Sequence, residues 1–234
     1  MTKPLNVTIV ILGYADSLFD LDFLRKYKSD VFKVSNICNK RILPIPNNSN
    51  GRLDIIYSPN DIAHLLKDVT GDLVVGIIDC PLTQGFFSCK AGQNKYCLSI
   101  KKPRFILERA NISIENFILK SIYKYILFSK NTNFSSHRDT RRCIFDLNGD
   151  LQDIVFNTEK VTICSECKAK LEKLNLPQGY IKLFEKELLH IDKDVMKKVE
   201  LWLQSHVYIA MLLSGIASLL ISILANILYK LFAV

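Results

Sequence analysis

Residues 207–228, Val-Tyr-Ile-Ala-Met-Leu-Leu-Ser-Gly-Ile-Ala-Ser-Leu-Leu-Ile-Ser-Ile-Leu-Ala-Asn-Ile-Leu, carry no charged side chain. At about 1.5 Å per residue such a helix is about 33 Å long, enough for a bilayer core of about 30 Å. A buried core helix is the other reading, but a soluble helix of this length ordinarily shows a polar face. The expectation is a C-terminal transmembrane helix with a short tail, 229–234, whose Lys230 can snorkel to the headgroups. The rest of the chain then folds on one side of the membrane.

The run is not uniformly apolar. Ser214, Ser218, Ser222 and Asn226 recur at four-residue spacing and make one slowly drifting stripe on a helix. Small and hydroxylated residues at this spacing let helices approach closely in lipid, and Asn can bond across the contact. Self-association into a homo-oligomer is expected, with a water-lined pore as a sharper version. Serines that merely bond back to their own helix carbonyls are the alternative.

At 234 residues the economical count is one folded domain plus the anchor. The net charge of +8 is spread along the chain apart from Arg138, Arg141 and Arg142. It suits an anionic membrane leaflet, and no nucleic-acid-binding motif accompanies it, so no nucleic acid is expected as a partner. No signal-peptide pattern opens the chain. Lys197 and Lys198 before the apolar run, against Lys230 after it, place the N-terminal side in the cytosol. In that reducing compartment the seven cysteines point to free thiols or metal ligation.

The domain reads as α/β. Val7–Leu12 is a buried strand, and Ser17 can cap a helix through about Lys28. Val31–Val34 is a short strand, 44–51 a loop, and Leu53–Tyr57 another strand. Ser58-Pro59-Asn60-Asp61 starts a helix to about Lys67. Leu73–Asp79 and Lys95–Ile100 are further strands, so part of the sheet is parallel. A long helix over about Ser113–Lys130 has the apolar stripe Ile114, Phe117, Ile118, Ile122, Tyr125 and Ile126. An irregular segment over about Asn131–Cys167 and a short helix over Lys168–Leu174 follow. From about Tyr180 to Gln204 a charged amphipathic helix serves as a stalk. The expected divisions are 1–176 for the domain, 177–206 for the stalk, 207–228 for the membrane helix and 229–234 for the tail.

Chemistry concentrates late in the domain. Cys164-Ser165-Glu166-Cys167 is a C-x-x-C. Two thiolates at this spacing can share a tetrahedral zinc but need two more ligands. Cys143 and His137 lie nearest upstream. A redox pair is the rival reading, though that signature belongs after the first strand of a βαβ unit. Unligated thiols are the plain alternative. Asp146, Asp150 and Asp153 have spacings that could suit calcium but lack the glutamate that completes an EF-hand, and read as loop and cap residues. Arg138, Arg141 and Arg142 beside Lys130 form a patch that could take an anionic ligand, or simply a solvated face. Gly-rich phosphate loops are absent.

The run His137-Arg-Asp-Thr-Arg-Arg-Cys143-Ile-Phe145, followed by Cys164-x-x-Cys167, resembles the end of the archaemetzincin-type zincin proteases. Their pattern is H-E-x-x-H-x-x-G-x-x-H-C-x-x-x-x-C-x-M, then a spacer and C-x-x-C. The upstream route is similar too: Gly76-Ile77-Ile78-Asp79, a Gly85–Phe87 loop, Leu98-Ser99-Ile100 and a long helix. The resemblance implies a zincin-like mixed sheet. Counted back from His137, the first two zinc-binding histidines fall on Leu127 and Asn131, the catalytic Glu on Phe128 and the Gly on Phe134. Zincin chemistry needs three imidazoles on an open-sited zinc and a carboxylate base, so peptidase activity is expected to be lost. The family's four structural cysteines map to Arg138, Cys143, Cys164 and Cys167, and His137 can replace the one that cannot ligate. The resulting expectation is a structural Cys3His zinc.

Together these features describe a non-enzymatic sensor or interaction domain with a protein or small-ligand trigger. It would be tethered by a self-associating helix and suited to a membrane effector, for instance in bacterial defence. A membrane-bound metallopeptidase with atypical ligands and a passive recruitment scaffold are the alternatives.

Overall fold

In the computed structural model, residues 3–46, 55–130, 136–174, 176–189, 191, 203 and 206–232 are described. They fall into two units, Met1–Lys193 and Asp194–Val234.

In the first unit, β-branched runs become the centre of a five-stranded sheet. Its strands are β1 (Leu5–Leu12), β2 (Phe32–Lys40), β3 (Leu73–Ile78), β4 (Ser88–Lys90) and β5 (Lys95–Ser99). They lie in the order β2-β1-β3-β5-β4. All neighbours are parallel except β4, which runs antiparallel to β5. Every residue of β3 is buried, as expected of a parallel strand covered on both faces. The two faces separate by alternation. Val7, Ile9, Ile11, Leu73, Val75 and Ile77 enter the larger core, while Val10, Leu12, Val74 and Ile78 enter a smaller one.

Helix α2 (Pro59–Leu65) covers the smaller core with Ile62 and Leu65. It starts where Ser58 predicts: the Asp61 amide donates to the Ser58 hydroxyl (3.2 Å) and the Ser58 amide to the Asp61 carboxylate (2.8 Å). This reciprocal pair satisfies two orphan donors of the first turn. Gly76 lies under this helix; a Cβ there would come within 3.3 Å of Leu12 Cδ1 and 3.4 Å of Leu66 Cδ1.

The other face carries α1 (Leu21–Lys26), α3 (Lys101–Arg109), α4 (Ile114–Lys130), α5 (Leu151–Glu159), α6 (Ser165–Glu172) and α7 (Tyr180–Leu189). Helix α4 is the spine of this layer. Twelve of its 17 residues are buried, so it is enclosed on nearly all sides. Tyr125 stacks flat on Tyr96 of the sheet at 4.6 Å. Tyr123 meets the Phe184 ring of α7 at 5.5 Å, and Phe128 meets Phe145 at 5.5 Å.

Several expectations change. Helix α1 is capped by Asp20, which accepts from the Phe23 amide at 3.0 Å; Ser17 instead lies in a 3-10 turn, Ala15–Leu18. The first short strand extends to Lys40. Leu53–Tyr57 is no strand in its described part: Tyr57 makes an isolated bridge to Leu82, and 53–54 lie outside the described residues, as do 47–51 of the expected loop. Helix α3 was not foreseen. Pro103 occupies its first turn, where a missing N–H costs nothing. Helix α5 replaces part of the segment read as irregular, with Asp150 and Asp153 as its capping pair. The 177–206 stretch does not begin as a free stalk. Tyr180, Phe184 and Leu188 of α7 are buried in the larger core, and 192–202, 204 and 205 lie outside the described residues.

In the second unit, helix α8 (Val207–Phe232) has 26 residues, four more positions than the apolar run at its C-terminal end. Only some of its side chains are described, and Asn226 is not among them. Among the described residues no helix is long and apolar enough to cross a membrane, so the spanning role expected for 207–228 is not established by the fold. The Ser218 hydroxyl donates to the Ser214 carbonyl at 3.0 Å, the local bond that competes with contacts between helices.

Gly76→Val should destabilise the domain by about 1–3 kcal/mol through overpacking against Leu12 and Leu66, with Gly76→Ala milder. Urea denaturation of both variants checks this, and equal stabilities would show that α2 yields freely.

Candidate metal centre

The segment from His137 to Cys167 is held by two short bridges. His137 pairs with Asp146 and Cys143 with Thr162. The His137 amide donates to the Phe145 carbonyl (3.2 Å), and the Ile144 amide to the Thr162 carbonyl (2.8 Å). Tight backbone is needed between them: Arg142 and Asn148 both have positive φ, 60° and 54°, where asparagine is tolerated and arginine is strained. Cys164 then sits at the N-cap of α6 with Cys167 in the first turn, which is how a C-x-x-C turns two thiols the same way.

The result is one cluster. Ligand atoms of His137, Cys143, Cys164 and Cys167 all lie within 4.8 Å of one another. Cys143 and Cys167 are buried, and His137 and Cys164 half-buried. The Cys164 thiol is 3.6 Å from His137 Nε2, and the Cys164 amide donates to Cys143 Sγ at 3.4 Å. This set can bind zinc.

The thiols could not all ionise without a cation. Burial first, then its thiol neighbours, push Cys143 and Cys167 up. Cys164 is also raised by burial, but hydrogen bonds from Cys167, Cys143 and His137 outweigh this and hold it below the usual thiol range. Like charges at contact suppress one another, and a divalent ion removes that penalty.

Behind the ligands lies Asp146, fully buried. Its Oδ2 accepts from the amides of Arg141 (3.0 Å) and Cys143 (2.9 Å) and from Asn157 Nδ2 (2.7 Å). Asn157 Nδ2 also donates to the Cys143 carbonyl at 2.7 Å. Asp146 Oδ1 is 3.1 Å from His137 Nδ1, and Nδ1 is 2.9 Å from the Asp139 carbonyl. A carbonyl can only accept, so Nδ1 carries the proton and Nε2 is left as the ligand atom toward the thiols.

The other residues singled out from the sequence are placed differently. Arg141 is exposed and paired with Asp139 (2.7 Å) and Glu166 (3.2 Å). Arg142 lies over the Phe156 ring at 3.8 Å, and Arg138 is exposed. Leu127 and Phe128 are on α4, Leu127 in the core; Asn131 and Phe134 lie outside the described residues. All seven cysteines are free thiols. Sequence reading missed Asp146 and Asn157 as supports of the site. The signal was there in part: an Asp three residues after a ligand cysteine can reach that cysteine's amide.

No protein-family model and no curated protein matches the sequence. Among solved structures, the archaemetzincin of Methanopyrus kandleri is similar, with 15% identity, a TM-score of 0.48, and coverage of 72% of this chain and 94% of that one. The expectation of a pseudoenzyme is corrected here. A His/Cys metal-binding group is in place, so the expected lack of enzyme activity is not carried forward. The earlier inference counted motif positions back from His137 without a gap. That count crosses 131–135, outside the described residues, and lands on a core leucine.

Asp146→Asn should weaken zinc binding by about 10–100-fold, the usual effect of removing a ligand's hydrogen-bonded support. Competition with a chromogenic chelator measures it; unchanged affinity would mean that His137 needs no orienting carboxylate.

Proposed function

We propose that this chain is a zinc-stabilised, archaemetzincin-like domain that reads a ligand or partner protein and is held at a membrane by α8. The observation that carries the zinc part is the four-ligand cluster. Three thiolates and one imidazole fill a tetrahedral zinc from protein alone, which is the pattern of a site that holds a fold together. The ion would tie α6 to the His137–Cys143 loop. Full-length protein in detergent should contain one zinc per chain. Chelation, or Cys167→Ser, should lower its melting temperature by about 10 °C or more. Well-folded protein without zinc ends this reading.

A second reading is favoured by one geometric fact. Without metal, Cys164 Sγ, His137 Nε2 and Asp146 Oδ1 stand in the order of nucleophile, base and orienting carboxylate. Cys164 also begins a helix, which favours its thiolate. Zinc would occupy the same thiol. Metal-free protein should then react with iodoacetamide at Cys164 faster than zinc-loaded protein. Cleavage of a peptide or ester that vanishes in Cys164→Ser and is suppressed by zinc would replace the structural-zinc reading.

The membrane role is supported by the uncharged composition of 207–228. Self-association would draw on Ser214, Ser218, Ser222 and Asn226, each cross-helix bond being worth roughly 0.6 kcal/mol on average in lipid. Ser218→Leu with Asn226→Leu should leave the chain in the membrane fraction and abolish cross-linked oligomers. Persistence of those oligomers would leave a passive anchor, and with it a recruitment scaffold.

A further inference from the structure

Helix α4 holds two lysines whose Nζ atoms lie over aromatic rings, Lys120 over Phe117 at 5.8 Å and Lys124 over Phe128 at 5.6 Å. Lys120 is 3% exposed, and its Nζ has no hydrogen-bond partner among the described residues. One turn on, Lys124 Nζ donates to the Asp146 carbonyl at 3.0 Å. Residues four apart share a helix face, and both line a cavity of about 250 Å³. Phenylalanines 86, 117 and 128 form much of its wall, with Ser88 and Asn148 as polar points. Among the described residues that line it there is no carboxylate.

We propose that this cavity binds a small organic anion, a carboxylate or phosphate on an apolar body, with Lys120 and Lys124 as its charge partners. The cost of the empty state argues for it. A buried ammonium without a counter-charge is among the most expensive groups in a protein interior, and an apolar residue of similar shape would remove the cost. Asp146, whose charge acts on both lysines, already turns one oxygen to three N–H donors. Burial, and for Lys120 also the neighbouring Lys124, lowers both ammonium groups, Lys124 to about 8. An anion would reverse that shift. Lysine acts as a point charge and suits either headgroup, while the rings suit a flat apolar body. The volume lies below the usual range for drug-sized ligands, which limits the ligand to about one ring and its headgroup.

The inference gives a ligand class to the ligand-reading role proposed above, and its binding test depends on neither zinc nor membrane. The probes are phenylacetate, phenyl phosphate and uncharged benzyl alcohol, titrated by calorimetry into the full chain in detergent. At least one anion should bind about tenfold or more tighter than the alcohol, and the preferred anion identifies the headgroup. Lys120→Met should lose that preference and melt at a higher temperature than the unsubstituted chain, since it removes a buried amine with no hydrogen-bond partner among the described residues. Equal binding of the alcohol, or an anion preference that survives Lys120→Met, overturns the proposal. A test on the unsubstituted chain needs no variant to fold. 4-Formylbenzoate followed by borohydride should label Lys120 or Lys124, with free phenylacetate protecting; labelling confined to exposed lysines overturns it too. If the anion binds while zinc is absent, the pocket stands and the structural-zinc reading alone fails.

Discussion

The buried carboxylate of Asp146 fixes the geometry of the whole late segment. A charge taken fully out of water must be met by donors, and three N–H groups converge on one of its oxygens. Two of these are main-chain amides of the loop that carries Cys143, so satisfying the charge folds the loop. The third comes from α5, which locks that helix against it. The other oxygen stands beside His137 Nδ1. Ligand direction, loop shape and helix docking thus follow from one desolvated group, and its backbone carbonyl continues the network to Lys124.

That network joins two regions that are distant in sequence. Helix α4 packs on the sheet through Tyr125 and on the metal-centre side through Phe128 and Phe145. The proposed zinc and the lysine cavity therefore share the same short piece of chain, Asp146–Asn148. The two are held by the same scaffold yet use different chemistry, soft thiolates on one side and hard cations on the other.

Legibility in the sequence tracked the range of the physics involved. The strands over Val7–Leu12 and Leu73–Ile78, the cap at Ser58 and the stripe of α4 could be read because each depends on neighbours a few positions away. That His137, Cys143, Cys164 and Cys167 would come together could be read because C-x-x-C spacing is diagnostic and a resemblance supplied the rest. Asp146 could not, since its role depends on Asn157 and on amides that converge only after folding. Lys120 and Lys124 fall outside the apolar stripe read for this helix, and nothing local says that a helix will be covered on nearly all sides. Asp150 and Asp153, by contrast, took the cap roles that their spacing allowed. Inactivity was inferred from the lack of any H-E-x-x-H in the chain and from a count back from His137; the count, unlike the first ground, depends on loop length.

The four ligands also have a consequence for the order of folding. They all lie between His137 and Cys167, whereas β1 must find β3 from Val7 to Leu73. Short loops close with less entropy lost and earlier in time than parallel strand pairing across distant chain. The thiol cluster can therefore assemble while the sheet is still incomplete. On refolding of the whole chain, an ion present from the start could be taken up before the sheet is complete, so metal supply at that stage bears on how fast the late segment is ordered.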